Sequence, residues 1–412
     1  MKWLVSRAAS LAFLSLMILF SLVGSAQEPG KSPLPLQGIP DMQAPHLKGS
    51  DPKPGDATKA ILAAFDKYEA VGMGAAHGNQ DLDNFILNLI RNPELPGKIN
   101  DIVVECGNSL YQPILDRYIA GDDVPLDETR QVWRNTTQPM CGVSAFYEEL
   151  FPLVRRINQR LPSGKKFRVL AGDPPIDWIK VKTRDDVMRF MNRDPAIASV
   201  MAKEVLSKHR KALMLFGTLH LYHNHSASLP ILLASAVSSY EKNYPGVTLV
   251  IAEHKGFGND SPLAQYNDEF ESRMAAWPIP SLAQDIPGTW LADLLDKTQT
   301  LTGGAVFFSV GKGGKRTESP IDSSDVPSSK MVDAYLYLGP RDLLLKEPLP
   351  AEIFLDKDFM AEMKRRAAIM GPGPVTDQAD PEKVSDQNYS PFQYDPDELH
   401  NRMQSFGSNS PL

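Results

Sequence analysis

Five short apolar runs in this chain close on an ionisable side chain. AVGMGAAH ends at His77, DIVVE at Glu105, FRVLAGD at Asp173, KALMLFGTLH at His220, and VTLVIAEH at Glu253 and His254. Apolar runs of this length, bounded by turn signals, fit strands buried on both faces. Between them apolar residues return at helical spacing. Leu82, Phe85, Ile86, Leu89 and Ile90 follow His77, with Asn79 or Asp81 able to cap the helix start. Leu110, Ile114, Leu115 and Tyr118 follow Glu105, and further helices are predicted over 144–161, 185–191, 195–210 and 230–243. The alternation predicts an α/β fold with a mainly parallel sheet and helices on both faces, in one large domain. Open sheets of this kind take ligands outside the carboxyl ends of their strands. All five runs are therefore expected to point at one site.

The pattern loosens from 256 to about 330, which reads as an irregular insertion. Within it PGTWLADLLDK starts a helix, AVFFSV is a strand, and GKGGKRTESPIDSSDVPSSK is a loop. DAYLYLGP, 333–340, returns as a last strand, and a helix over 356–368 closes the fold. At the other end Lys2 and Arg7, the apolar stretch Leu11 to Val23 and the small residues Gly24-Ser25-Ala26 have the layout of a secretory signal over 1–26, with Gln27 as the mature terminus. Export to the periplasm or medium is the expectation, and a membrane partner enters if the segment stays uncleaved. Residues 27–58 read as a Pro/Gly-rich linker, 59–370 as the domain and 371–412 as a disordered tail, because both flanks are poor in apolar residues.

A net charge of −7 argues against nucleic acid as a partner, since phosphate binding needs a basic face. A small-molecule substrate is the expected partner, and the oligomeric state is open. The two cysteines, Cys106 and Cys141, could be bridged or free, because the Cα separation that decides it is not in the sequence. Strand alternation turns Cys106 away from the face that Glu105 uses.

His77 lies between small residues in GAAHGN at a strand end, where its neutral ring could take a proton from water. Glu105 follows a buried strand and is costly there unless paired, so it could orient an imidazole, hold a metal or cap the next helix. Asp173, set before Pro174 and Pro175, could share those tasks or serve as a turn element. GTLHLYHNH carries His220, His223 and His225; the density suggests a metal, but the spacing is not that of a helical zinc motif. His220 is favoured as the active member, with His223 second and His225 solvated. Glu253 is a further candidate, with pairing to a nearby Lys or Arg as the alternative. No GxSxG elbow or GxxxxGK[ST] loop occurs, which turns the expected attack toward activated water.

The order of these motifs resembles the erythromycin esterase-like branch of a superfamily that also holds ChaN, Tiki and TraB proteins. The resemblance rests on VGMGAAHGNQDLDNFILNLIR, DIVVECG, LDRYIAGDDVPLDETRQVWRN, RVLAGDPPIDW, KALMLFGTLHLYHN and VDAYLYLGP, which together cover most of residues 60–345. It implies hydrolysis of an ester or lactone by water that His77 activates, with Glu105 and His220 assisting. Two features depart from the branch. Gly74-Ala75-Ala76 stands where an acid is usual, and the late motif is not an Asn-rich double-His turn. The ChaN-like relatives imply the alternative of haem or metal binding, with Tyr111 or Tyr222 as an axial ligand, and His77, Glu105 and His220 would be the metal set.

Overall fold

In the computed structural model the described residues are 17–18, 46–74, 78–223, 235–256, 264–301, 306–310, 316–320, 327–348, 353 and 355–370. The strands in chain order are β1 (Met17–Ile18), β2 (Pro54–Asp56), β3 (Ala70–Gly74), β4 (Asp101–Asn108), β5 (Arg168–Asp173), β6 (Ala212–Phe216), β7 (Thr248–Glu253), β8 (Ser281–Ala283), β9 (Val306–Val310), β10 (Arg316–Pro320) and β11 (Ala334–Tyr337). Eight of them form one sheet in the order β2-β8-β11-β7-β3-β6-β4-β5. From β11 to β5 every neighbouring pair is parallel; β8 runs antiparallel to both β11 and β2. The six apolar runs picked out in the sequence are these six parallel strands. Their residues are almost all buried, as expected for a sheet covered on both faces.

Side-chain alternation sorts each strand between two cores. Val71, Met73, Ile102, Val104, Leu213 and Leu215 join the core under α1 (Ala57–Lys67), α2 (Gln80–Arg91), α3 (Gln112–Ala120), α4 (Leu126–Arg134) and α5 (Ala145–Arg160). Ala70, Val103, Leu170, Ala212 and Met214 face the other way, toward α7 (Asp194–Val200), α8 (Ala236–Tyr240), α9 (Asn267–Met274) and α10 (Trp290–Leu301). The short α6 (Arg184–Met188) packs in a third, smaller cluster that also takes Met370 of the last helix, Lys357–Met370. Burying a Leu, Val or Phe in such a core stabilises by about 1.5–3 kcal/mol.

Two expectations are corrected. The linker was placed over 27–58, yet residues from 46 onward belong to the fold: Leu47 is buried, β2 pairs with β8, and Asp56 caps α1 by accepting from the Lys59 amide. The short apolar stretch there is too weak to register until its partners surround it. The loop expected after AVFFSV contains β10, which pairs antiparallel with β9 in a three-stranded sheet with β1. Asp173, for which a turn role was the open alternative, is a buried ion-pair member. The cysteines are bridged, with Cα atoms 5.3 Å apart, inside the range a disulfide needs. The stretch read as a signal, 1–26 (apart from Met17–Ile18), and the tail from 371 lie outside the described residues.

Candidate functional site

The parallel strands end together on one edge, and their order puts β6 between β3 and β4. Glu105, on β4, is 2% exposed, and Asp173, the last residue of β5, is fully buried. Neither carboxylate is left alone. Arg193 sits between them, donating from Nε to Asp173 Oδ1 at 2.5 Å and from Nη1 to Glu105 Oε1 at 2.6 Å. Thr137 adds its amide and hydroxyl to Asp173, at 2.6 and 3.0 Å. Burial pushes the Asp173 carboxyl up, against the pull of Arg193 and Thr137. For Arg193, burial opposes the charge but is outweighed by Asp173 and Glu105, which hold the guanidinium above its ordinary range.

β6 delivers the next members. After Phe216 the chain turns at Gly217, whose amide donates to Glu105 Oε2 at 2.6 Å. A single 3₁₀ turn, Thr218–His220, then brings the imidazole back over the strand ends. His220 Nδ1 bonds Asp194 Oδ1 at 2.8 Å, and Nε2 lies 3.6 Å from Glu105 Oε1. Burial disfavours the imidazolium, yet the bonds and charges of Asp194 and Glu105 prevail and raise the pKa to about 9. His220 is therefore charged at neutral pH. It can donate a proton or stabilise an oxyanion, and it cannot act as a neutral base there. Its linkage follows: the stabilisation is fully present below about pH 6.5, the unfolded value, and is lost as pH rises through about 9. Asp194 also accepts the Ala236 amide, at 2.9 Å, which ties α8 to the site.

Glu253 closes the row on the other side of β6. Its Oε2 accepts from Thr218 Oγ1 at 3.1 Å, and the exposed Lys255 approaches Oε1 at 3.4 Å. The carboxylate lies so close to the end of β3 that a Cβ added to Gly74 would stand 2.1 Å from Oε2. With glycine at 74 the carboxylate keeps that place and its bond from Thr218. His254 turns to the opposite face, bonded to Tyr335 and Glu271.

The remaining candidates separate. His77 and His225 lie outside the described residues. His223 does not join His220: its ring nitrogens bond Glu241 and Asp333 at 2.8 and 2.6 Å, away from Glu105. Burial opposes its charge, but Asp333 and Glu241 raise its pKa to about 9 and make it a structural clasp. As a metal set, Glu105 and His220 do not fit. Both Glu105 oxygens are already met, by a guanidinium and an amide, and His220 Nδ1 is held by Asp194. Among the described residues no group of three His, Cys, Asp or Glu stands in a metal-holding arrangement. Tyr111 accepts a hydrogen bond from Asn135, and burial pushes Tyr222 up to about 12, which disfavours it as an anionic axial ligand.

Arg193, Asp194 and Glu347 escaped the sequence reading. The first two sit in RDPAIASV, where Pro195 signals a helix start, and nothing local marks the arginine as buried. Glu347 anchors the exit of β3: it accepts from the amide of Gly78 at 3.2 Å and from Ser144 Oγ and the Phe146 amide at 2.7 and 2.9 Å. Tyr147, beside it, is buried, and burial together with Glu105 and Asp83 pushes its phenol well up.

Asp83 on α2 is 8% exposed, and its Oδ2 has no hydrogen-bond partner. Burial, then Glu347, Asp81 and Glu149, push this carboxyl well above its ordinary 3.8. A raised carboxyl pKa means a penalty that is absent below the unfolded value and grows as pH rises above it. Asp83→Asn should therefore stabilise at pH 7, on the order of 1–3 kcal/mol, and make no difference near pH 3. Urea midpoints at the two pH values measure this; equal midpoints at pH 7 would contradict it.

No family model and no curated protein matches the sequence. Solved structures do. Erythromycin esterase EreC in its open conformation is 14% identical, with a TM-score of 0.44, 70% of this chain covered and 96% of that one. A protein from Bacillus cereus is 11% identical, with a TM-score of 0.44 and coverage of 70% and 95%. ChaN of Campylobacter jejuni, solved with cofacial heme, is 12% identical, with a TM-score of 0.30 and coverage of 49% and 87%. These are likenesses of chain course, at identities too low to transfer a residue's role.

Proposed function

We propose that this chain is an exported hydrolase that cleaves an ester, lactone or amide with water as the nucleophile. The observation that carries the reading is the buried row Asp173–Arg193–Glu105–His220–Asp194, in which charges alternate and every member is held by its neighbour. Such a row fixes a charged imidazole at the strand ends before any substrate arrives. His77, placed by its motif at the exit of the neighbouring β3, takes a proton from water as the oxygen attacks the carbonyl carbon. The imidazolium of His220 stabilises the oxyanion and gives its proton to the leaving group as the carbon–heteroatom bond breaks. Glu105 orients the imidazolium, and Arg193 and Asp173 orient Glu105.

The role of His220 predicts a pH profile. Turnover of an activated ester by the wild-type protein should hold across neutral pH and fall as pH passes about 9, where the imidazolium is lost. His220→Gln should lower turnover about 10²-fold, the usual effect of removing one oxyanion donor, and should abolish the alkaline fall. An alkaline limb that survives in His220→Gln would assign it to another group and sink this role. A Soret shift with haemin and no hydrolysis of any ester, lactone or amide would overturn the whole reading.

A further inference from the structure

Arginines in this fold are mostly tied to acids. Arg134 holds Glu148, Arg210 holds Asp101, and Arg365 holds Glu362. Arg91, Arg156 and Arg160 are different. Among the described residues none of the three reaches a carboxylate, and the hydrogen bond they make to a side chain is that of Arg91 Nη1 to Asn88 Oδ1, 3.0 Å. Yet they line one groove together, about 370 Å³ in volume, whose apolar wall is Leu153 and Ile157.

The fold explains how they meet. Arg91 ends α2 and Arg160 ends α5, while Arg156 stands one turn earlier on the same face of α5 as Arg160. Both helices run back toward the amino ends of the strands, since α2 leads to β4 and α5 to β5. The groove is therefore at the edge of the sheet opposite Glu105 and His220. Helix carboxyl ends favour cations, which accounts for Arg91 and Arg160 one at a time. That preference explains neither Arg156 nor the apolar wall the three share. In a chain of net charge −7, three unpaired guanidiniums in one place are a local reversal of sign.

We infer that this groove docks on the anionic headgroups of a phospholipid surface, leaving the Glu105–His220 edge facing away from it. Guanidinium groups match phosphate oxygens in pairs, and they carry weakly held water. Leu153 is buried and Ile157 half-buried, so Ile157 is the apolar surface that a lipid can use and a free phosphate cannot. The chain also carries the apolar stretch from Leu11 to Val23, which directs it to a membrane in the first place. The inference does not depend on the hydrolytic reading, since none of these residues belongs to that edge.

The test is co-sedimentation of the full chain with vesicles of phosphatidylcholine alone and with phosphatidylglycerol added. The amino-terminal stretch, with Lys2 and Arg7, is the same in the wild type and the variants, so the change in preference between them reads the groove. The wild-type protein should prefer the anionic vesicles, with the preference falling as salt is raised. Arg91→Ser, Arg156→Ser and Arg160→Ser together should reduce that preference roughly 100-fold, at about fivefold for each basic residue beside an anionic leaflet. Arg184→Ser with Arg189→Ser, which removes two exposed arginines on and just after α6, should leave it intact, and circular dichroism should show both variants folded. An unchanged preference in the triple variant would overturn the inference. So would loss of vesicle binding to inorganic phosphate at equal ionic strength, which would mark a free-anion site.

Discussion

Replacing His77 by alanine should lower turnover of an activated ester by about 10²–10⁴-fold, the contribution of a positioned general base, while the protein stays folded. The fold is expected to survive because the elements on either side are anchored without the imidazole. β3 is paired along its length with β6 and with β7. α2 is capped by Asn79, whose side chain accepts from the amides of Asp81 and Leu82, and residues 78 and 80 bond the backbone of 345–347. The measurement is kcat and KM on esters with good leaving groups, beside a thermal melt. Full turnover in a folded His77→Ala protein would remove the base from the proposed mechanism and leave water activation to another group. Because His220 is held as the cation, a second neutral imidazole is not ready in the row to take over, and rescue by added imidazole would support the base role further.

Arg193→Ala should cost stability as well as activity, on the order of 3–5 kcal/mol, the penalty for breaking a buried ion pair by deleting one partner. The guanidinium is 7% exposed and bridges two carboxylates that are 2% and 0% exposed. Removing it leaves Asp173 to Thr137 alone and Glu105 to the Gly217 amide and the imidazolium. The deficit has a pH signature. With the cation gone, burial raises the Asp173 carboxyl against Thr137 alone, so it takes up a proton more readily in the folded state, and the loss should shrink as pH falls through the acid range. Chemical denaturation at neutral and acid pH measures it; a loss under 1 kcal/mol at pH 7 would mean the pair is dispensable. Arg193→Lys should not restore the protein, since a single ammonium cannot span both carboxylates as the planar fork does.

The sheet was legible because burial on both faces leaves a local mark: six apolar runs, each long enough for a strand, with helical spacing between most of them. β2 and β8 were not, since three-residue strands such as Ser281–Ala283 carry no period of their own and form where β11 offers an edge. At the candidate site, Glu105, Asp173, His220 and Glu253 were singled out for being ionisable at a strand end, and the structure places them along that edge. His223 was misgrouped with His220 for want of a tertiary signal. Two residues separate them, but the 3₁₀ turn after Gly217 sends one ring to Asp194 and Glu105 and the other to Glu241 and Asp333.

By itself, then, the sequence determined the alternation of buried strands and amphipathic helices, the edge where the strands end, and four of the acids and imidazoles that stand along it. Tertiary structure decided their states. Whether His220 is an acid or a base depends on Asp194, and whether Glu105 could bind a metal depends on Arg193, 88 residues away in the chain. The reason is physical: hydrophobic periodicity is a local property that neighbours in sequence impose on each other. The charge of a buried group is set by whatever the folded chain brings within a few ångströms of it.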